Sequence, residues 1–268
     1  MLREITLGQY YRTESVIHRL DPRVKIVATF SFIISLFLTK NFIGYVIAGL
    51  FLLLSIRLSN VPPKFIFRGM KTIFFLLVIT MVFNLFLTPG IPIVTFWKFK
   101  ITKEGIRLAA MMGVRLVFLI TGSSLMTLTT TPNNLTDGLE DLLKPLKKIK
   151  VPVHEISMMM SIALRFIPIL MEETDKIMKA QMARGADFES GSLMNRARSL
   201  IPLLVPLFVS AFRRANDLAM AMEARCYRGG EGRTKMKPLI YKRRDFIAYV
   251  VIVLYIVAII VLGRMMFA

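Results

Sequence analysis

Two arginines in this chain occupy matching places. Ala180-Gln181-Met182-Ala183-Arg184-Gly185 and Ala221-Met222-Glu223-Ala224-Arg225-Cys226 both read Ala-x-x-Ala-Arg, each at the end of a long amphipathic stretch and just before a glycine-bearing break. An arginine in the last turn of a helix is compatible with the negative end of the helix dipole. Its planar fork can also enter a pocket and meet a carboxylate or several carbonyls with charge-assisted hydrogen bonds. The alanines one turn back would let a partner surface approach closely. Basic residues are common at helix C-termini, so a single such arginine reads best as an ordinary helix end. Two, with the same alanine spacing, give recognition of a partner equal weight.

Other candidates are weaker. Arg115 lies within an apolar stretch, a costly placement that marks either a functional group or one facing a neighbouring helix. His18 is expected to bond locally, and His154, near a helix start, to be structural. Met158, Met159, Met160, Met171, Met178, Met182, Met220 and Met222 lie along the two amphipathic stretches, where methionine suits either a core or a surface that accepts several partners. The acidic groups Asp137, Glu140, Asp141 and Glu172, Glu173, Asp175 read as solvated helix faces. No phosphate-binding Gly-x-x-x-x-Gly-Lys-Ser/Thr run is present, so ATP hydrolysis by this chain is not expected. Nucleophile, base and orienting group do not converge at any recognisable spacing, so no enzyme activity and no catalytic residue is expected. One cysteine and two histidines among 268 residues leave no cysteine cluster or histidine-rich metal site, and no cofactor is implied.

The elements that must carry these residues follow from composition. Hydrophobic residues make up 55%, and 36 Lys+Arg against 17 Asp+Glu give a net charge of +19. The apolar residues are collected rather than interleaved: positions 26–39, 41–56, 72–97, 116–136 and 246–263 hold no Asp, Glu, Lys or Arg. That pattern excludes an ordinary cytosolic enzyme and predicts an all-α integral membrane protein with about five transmembrane helices. Because the basic residues flank apolar spans, they read as retained on the cytoplasmic side beside anionic lipid, and nucleic acid is not an expected partner. The first twenty-five residues are polar and charged, with no cleavable signal visible.

The spans are expected near Lys25–Lys40, Asn41–Ile56, Thr72–Thr88, Gly105–Leu128 and Phe246–Leu262. Asp21-Pro22 would cap the first, Lys40-Asn41 would make a tight hairpin, and a basic loop with Arg57, Lys64, Arg68 and Lys71 would precede the third, its Pro62-Pro63 pair stopping any helix. Trp97 sits where a membrane interface would place it. Residues 1–131 thus form a membrane domain of about four helices and 246–268 a last one. Between them, 132–245 reads as a cytoplasmic domain of one short and two long helices. The short one opens at Thr131-Pro132 and breaks at Pro145. The second runs from near Pro152 to Gly185, and the third from Ser192 to Gly229-Gly230, with Pro168, Pro202 and Pro206 expected to bend them. That section holds 20 of the 36 basic residues, which favours a cytoplasmic N-terminus in a multi-pass protein of the cell membrane, the inner one in a diderm. Lys98, Lys100, Lys103 and Arg107 would lie outside, against that trend.

The opening stretch Leu7-Gly8-Gln9-Tyr10, Ser15 and His18-Arg19-Leu20-Asp21-Pro22-Arg23-Val24-Lys25 resembles the N-terminal signature of the T components of energy-coupling factor transporters. The spans, amphipathic helices and paired Ala-Arg endings follow in the same order over essentially the whole chain. The resemblance implies a non-catalytic membrane scaffold of an ABC-type importer. Such a scaffold joins two ATP-binding A components to one or more membrane S components that bind a vitamin or a metal ion. It also implies that Ala183-Arg184-Gly185 and Ala224-Arg225-Cys226 dock in the two ATPases. Cys226 stands where the family commonly has Gly or Ser, which bears on how tightly the turn after Arg225 can close. Two other readings stay open from the residues: a stand-alone secondary transporter, disfavoured by the lack of acidic residues in the uncharged runs, and a membrane enzyme acting on lipid.

Overall fold

Helix boundaries follow their capping residues. Asp21 accepts a hydrogen bond from the Arg23 backbone N–H, and Pro22 fills the first helical position, where its missing N–H costs nothing; α1 runs Pro22–Leu38. Asn60 in the left-handed conformation ends α2, Phe42–Ser59. Pro63 opens α3, Pro63–Leu87, which thus takes in the basic stretch expected as a loop. A short antiparallel hairpin follows, β1 Pro92–Phe96 and β2 Phe99–Thr102; it is the one β element among the described residues of an otherwise helical fold. Thr102 caps α4, Lys103–Thr129, by accepting from Gly105 N–H at 3.0 Å. Then come α5, Pro132–Leu143, a 3-10 turn at Lys144–Ile149, α6, Val153–Ala183, α7, Ile201–Ala224, and α8, Arg243–Met265.

This computed structural model describes residues 10–39, 41–96, 99–186, 188, 194, 199–230, 232 and 235–265. Leu7, Gly8 and Gln9 of the signature, the Lys40 turn, Trp97, Lys98 and the Ser192 helix start lie outside them.

By length and composition α2, α4, α6 and α8 can each cross a membrane, and the bent pair Pro63–Lys71 and Ile73–Leu87 of α3 makes a fifth candidate. α6 was expected as a purely amphipathic helix. Its seven charged residues are unevenly spread, with Glu172, Glu173, Asp175, Lys176 and Lys179 in its last twelve positions, so only the stretch before Glu172 is apolar enough to qualify. α1, at 17 residues, is short for a span.

The chain divides near Leu142/Leu143 and Pro238/Leu239 into two compact units. The first holds α1–α5, the hairpin and α8. Its core is Phe32, Leu36, Tyr45, Ala48, Leu52, Tyr255 and Ile259, with Ser35 Oγ and Tyr255 Oη 2.7 Å apart and the Phe51 and Tyr255 rings stacked at 4.4 Å. Gly138 of α5 is required here: a Cβ would lie 2.9 Å from Pro22 Cβ and 3.3 Å from the Arg23 nitrogen. α5 therefore packs against the start of α1.

The second unit is built on α6 and α7, which run antiparallel. A Cβ on Gly230 would collide with the His154 ring. Met158 shares a cavity with Met222 and Cys226. Arg214 Nη2 donates to Glu173 Oε2 at 3.0 Å, and Gln181 Nε2 to Pro202 O at 3.4 Å. Positions rise along α6 as their partners fall along α7. Pro202 lies in the first turn of α7, where proline fits without a bend, while Pro168 and Pro206 lie inside their helices.

Candidate functional site

The two Ala-x-x-Ala-Arg segments close their helices in the same way. At the end of α6, Gly185 N–H donates to Met182 O and Ala186 N–H to Gln181 O, both at 3.0 Å. At the end of α7, Cys226 N–H donates to Glu223 O at 2.8 Å and Tyr227 N–H to Met222 O at 3.0 Å. Each is a Schellman cap whose pivot takes positive φ, 89° at Gly185 and 54° at Cys226. The turn after Arg225 thus closes as tightly as its counterpart, although a non-glycine there costs about 1 kcal/mol. In both caps the arginine is the C-cap residue directly after the last helical alanine, held by its own backbone hydrogen bonds. Ala183, Arg184, Gly185, Ala224, Arg225 and Cys226 are all exposed. Among the described residues neither arginine makes an ion pair.

The antiparallel packing does not bring the two arginines together. Cys226 adjoins Met158, and the 26 residues from Met158 to Arg184, at about 1.5 Å each, set the two caps about 40 Å apart along the axis. Beside Arg225 a cavity of about 420 Å³ is lined by Met158, Met222, Arg225, Tyr227 and Arg228. The end of α7 therefore offers a recess flanked by two guanidinium groups, suited to a carboxylate or a set of carbonyls.

The signature residues build a different kind of centre, at the start of α1. Asp21 accepts from Arg23 Nε at 3.0 Å and Nη2 at 2.8 Å. Arg23 reaches on to Asp141 at 3.5 Å and lies 3.8 Å over the Tyr241 ring. Lys25 Nζ, 7% exposed, donates to Thr129 O at 2.8 Å and His18 O at 3.2 Å, so it satisfies the carbonyl at the end of α4. Asp245, 1% exposed, accepts from the backbone N–H of Asp21 at 2.9 Å and of Lys242 at 2.7 Å. One knot of charges thereby ties α1, α4, α5 and α8.

Burial works against the Asp21 charge, yet the hydrogen bonds from Arg23 prevail and hold its carboxyl below the usual aspartate value. Burial pulls the His18 imidazole below its ordinary value, helped by the nearby Lys25 charge and opposed by hydrogen bonding to the Tyr11 carbonyl. His18 sits locally, Nδ1 2.7 Å from Ser15 Oγ and Nε2 3.0 Å from Tyr11 O. Arg115 faces its neighbours: Nε donates to Tyr45 Oη at 2.9 Å and Nη2 to Thr39 O at 3.3 Å. Asp141 and Asp245 were not legible as members of the knot. The available signal was an acid beside Lys242-Arg243-Arg244 at the head of the last apolar run, a helix-start pattern.

The family profile described as CbiQ, cobalt transport protein, matches residues 13–236. A Clostridium kluyveri protein named energy-coupling factor transporter transmembrane protein EcfT is 58% identical over 250 residues, covering 92% of this chain and 93% of that protein. Proteins of the same name from Ruminiclostridium cellulolyticum, 51% identical over 267 residues and the full length of both chains, and from Bacillus subtilis, 49% identical over 246 residues, 91% of this chain and 93% of that protein, are also similar.

Proposed function

The chain belongs to the family of energy-coupling factor transporter transmembrane proteins, and from that premise we propose that it is the mechanical coupler between two partner ATPases and a substrate-binding membrane protein. It is a membrane transport component; the finer assignment rests on the site. The observation that carries it is the pair of like caps at opposite ends of one antiparallel hairpin. Each cap offers one exposed guanidinium on a rigid turn, about 40 Å from the other. That distance suits two separate protein surfaces rather than one ligand. An ATP-binding subunit that takes Ala183-Arg184-Gly185 and another that takes Ala224-Arg225-Cys226 hold the hairpin at two points. A single grip transmits position, whereas two grips register a change in separation when the ATPase pair closes. The two long helices, α6 and α7, then pass that movement on.

A surface for the third partner is at hand. Ile201, Leu204, Val205, Phe208, Val209 and Phe212 recur at helical spacing along α7, each 44% to 70% exposed. A continuous apolar stripe of this kind supports docking of another apolar surface, here the S component that binds the vitamin or metal ion. This reading puts the 132–245 region and the N-terminus in the cytoplasm.

The test is co-purification and uptake. The tagged chain, extracted in mild detergent, should retain two ATP-binding subunits and a small membrane protein. Arg184→Ala combined with Arg225→Ala should release the ATPases and stop uptake, since truncating a well-packed interface arginine costs about 2 kcal/mol or more. Normal uptake by that double variant, or uptake by the purified chain alone under an ion gradient, overturns the reading.

A further inference from the structure

We propose that the membrane unit holds one anionic phospholipid, its acyl chain in a chamber between α1, α2, α4 and α8 and its phosphate on Lys25 and Arg244. The inference needs only that this unit sits in a bilayer, and it stands or falls apart from the ATPase reading.

The chamber has a volume of about 250 Å³. Val24, Phe32, Leu52, Leu125, Ala248 and Ile252 are among its walls. An apolar cavity of about 150 Å³ already stays dry and takes up apolar ligands, so water is a poor occupant of this larger one. It is not sealed. Leu54, Leu58, Ile247 and Val251 line it and remain 42% to 64% exposed, so it opens on an apolar face where a bilayer supplies hydrocarbon chains.

Both charged residues of its lining, Lys25 and Arg244, are cations. Of the three hydroxyl side chains in its lining, Ser55 Oγ donates to Phe51 O and Thr129 Oγ1 to Leu125 O, so these two are spent within their helices, and Thr29 adds one uncharged hydroxyl. Lys25 and Arg244 remain, close enough for their charges to repel. Two carbonyls take two of the three ammonium protons of Lys25, which leaves one donor. Arg244 Nε is buried without a hydrogen-bond partner among the described residues. The nearby acids are engaged: Asp21 with Arg23, Asp245 with backbone N–H groups. Two cations with donors to spare, at the head of a dry greasy slot, match a phosphate joined to an acyl chain. Both stand where α1 and α8 begin and α4 ends, the level of a headgroup rather than of the hydrocarbon. A zwitterionic lipid would bring its own cation to a site that already has two.

Native mass spectrometry of the full chain in mild detergent, with equal amounts of phosphatidylglycerol and phosphatidylcholine added, reads the occupant directly. Wild type should keep one phosphatidylglycerol in preference by about fivefold or more. Arg244→Gln should bring the ratio close to one, and Ala248→Phe, which fills the chamber, should remove both lipids. Thermal unfolding checks that the variants fold; if Ala248→Phe does not, Ala28→Leu fills the same chamber from α1. Equal retention of the two lipids by wild type overturns the proposal. So does retention that survives filling, or glycerol phosphate competing as well as the intact lipid, which would make the site a free-anion site.

Discussion

The charged knot at the start of α1 and the arginine caps of α6 and α7 use the same side chains to opposite ends. Arg23 is enclosed and answered by Asp21 and Asp141, and Lys25 is enclosed with two of its three protons given to the carbonyls of His18 and Thr129. Arg184 and Arg225 are exposed on turns that their own backbones complete, and the described residues offer them no counter-charge. A cation satisfied within its chain serves the fold, since its loss leaves buried acceptors unmatched. A cation presented on a finished turn adds little to stability and is available to a partner. The difference separates residues whose variants should lower stability from those whose variants should lower transport.

Four experiments can break or sharpen that contrast. The largest effect is expected at the caps: Arg184→Ala and Arg225→Ala, taken singly, should each weaken ATPase attachment by about thirtyfold while the melting temperature in detergent stays unchanged. A fall in melting temperature would place these arginines with the knot. Next, Asp245→Ala should cost about 2–3 kcal/mol, because it strands two backbone N–H groups that it now satisfies. Denaturation in detergent should report that loss, and transport per folded molecule should hold. Third, Cys226→Gly should stabilise the chain by about 1 kcal/mol and Gly185→Ala destabilise it by a similar amount, since both pivots have positive φ. Opposite signs from equivalent positions would establish that the two caps are one structure. The smallest effect concerns pH. His18 is held below its ordinary value of 6.5 in the folded state, so the unfolded chain takes up the proton first and favours unfolding in acid. Its contribution to stability is complete above about pH 6.5 and declines as the pH falls below it. The melting temperature of wild type should therefore drop more between pH 7.5 and 5.5 than that of His18→Gln.

Much of this was legible from the residues in order. Asp21-Pro22 announced the start of α1, Pro62-Pro63 a break, and Pro152 and Gly185 the bounds of α6. The Ala-x-x-Ala-Arg repeat was visible as a repeat. The β1–β2 hairpin was not, because Pro92–Thr102 is short and its pairing depends on the two helices it joins. Nor was the placement of Arg115. An arginine in an apolar run reads alike whether it meets a substrate or, as here, Tyr45 and the Thr39 carbonyl.

Local rules set the parts: uncharged runs long enough to span a bilayer, proline and capping residues that end them, and two arginines each one step before a chain reversal. These depend on neighbours within a few positions, so spacing alone declares them. Only tertiary structure decided that Asp245 meets the Asp21 backbone across 224 positions, that Cys226 adopts the glycine-like pivot, and that α6 and α7 run antiparallel with their arginines at opposite ends. Those outcomes turn on which helix faces pack together and which backbone groups are left to satisfy, and contacts between segments so distant in the chain leave no periodic trace in it.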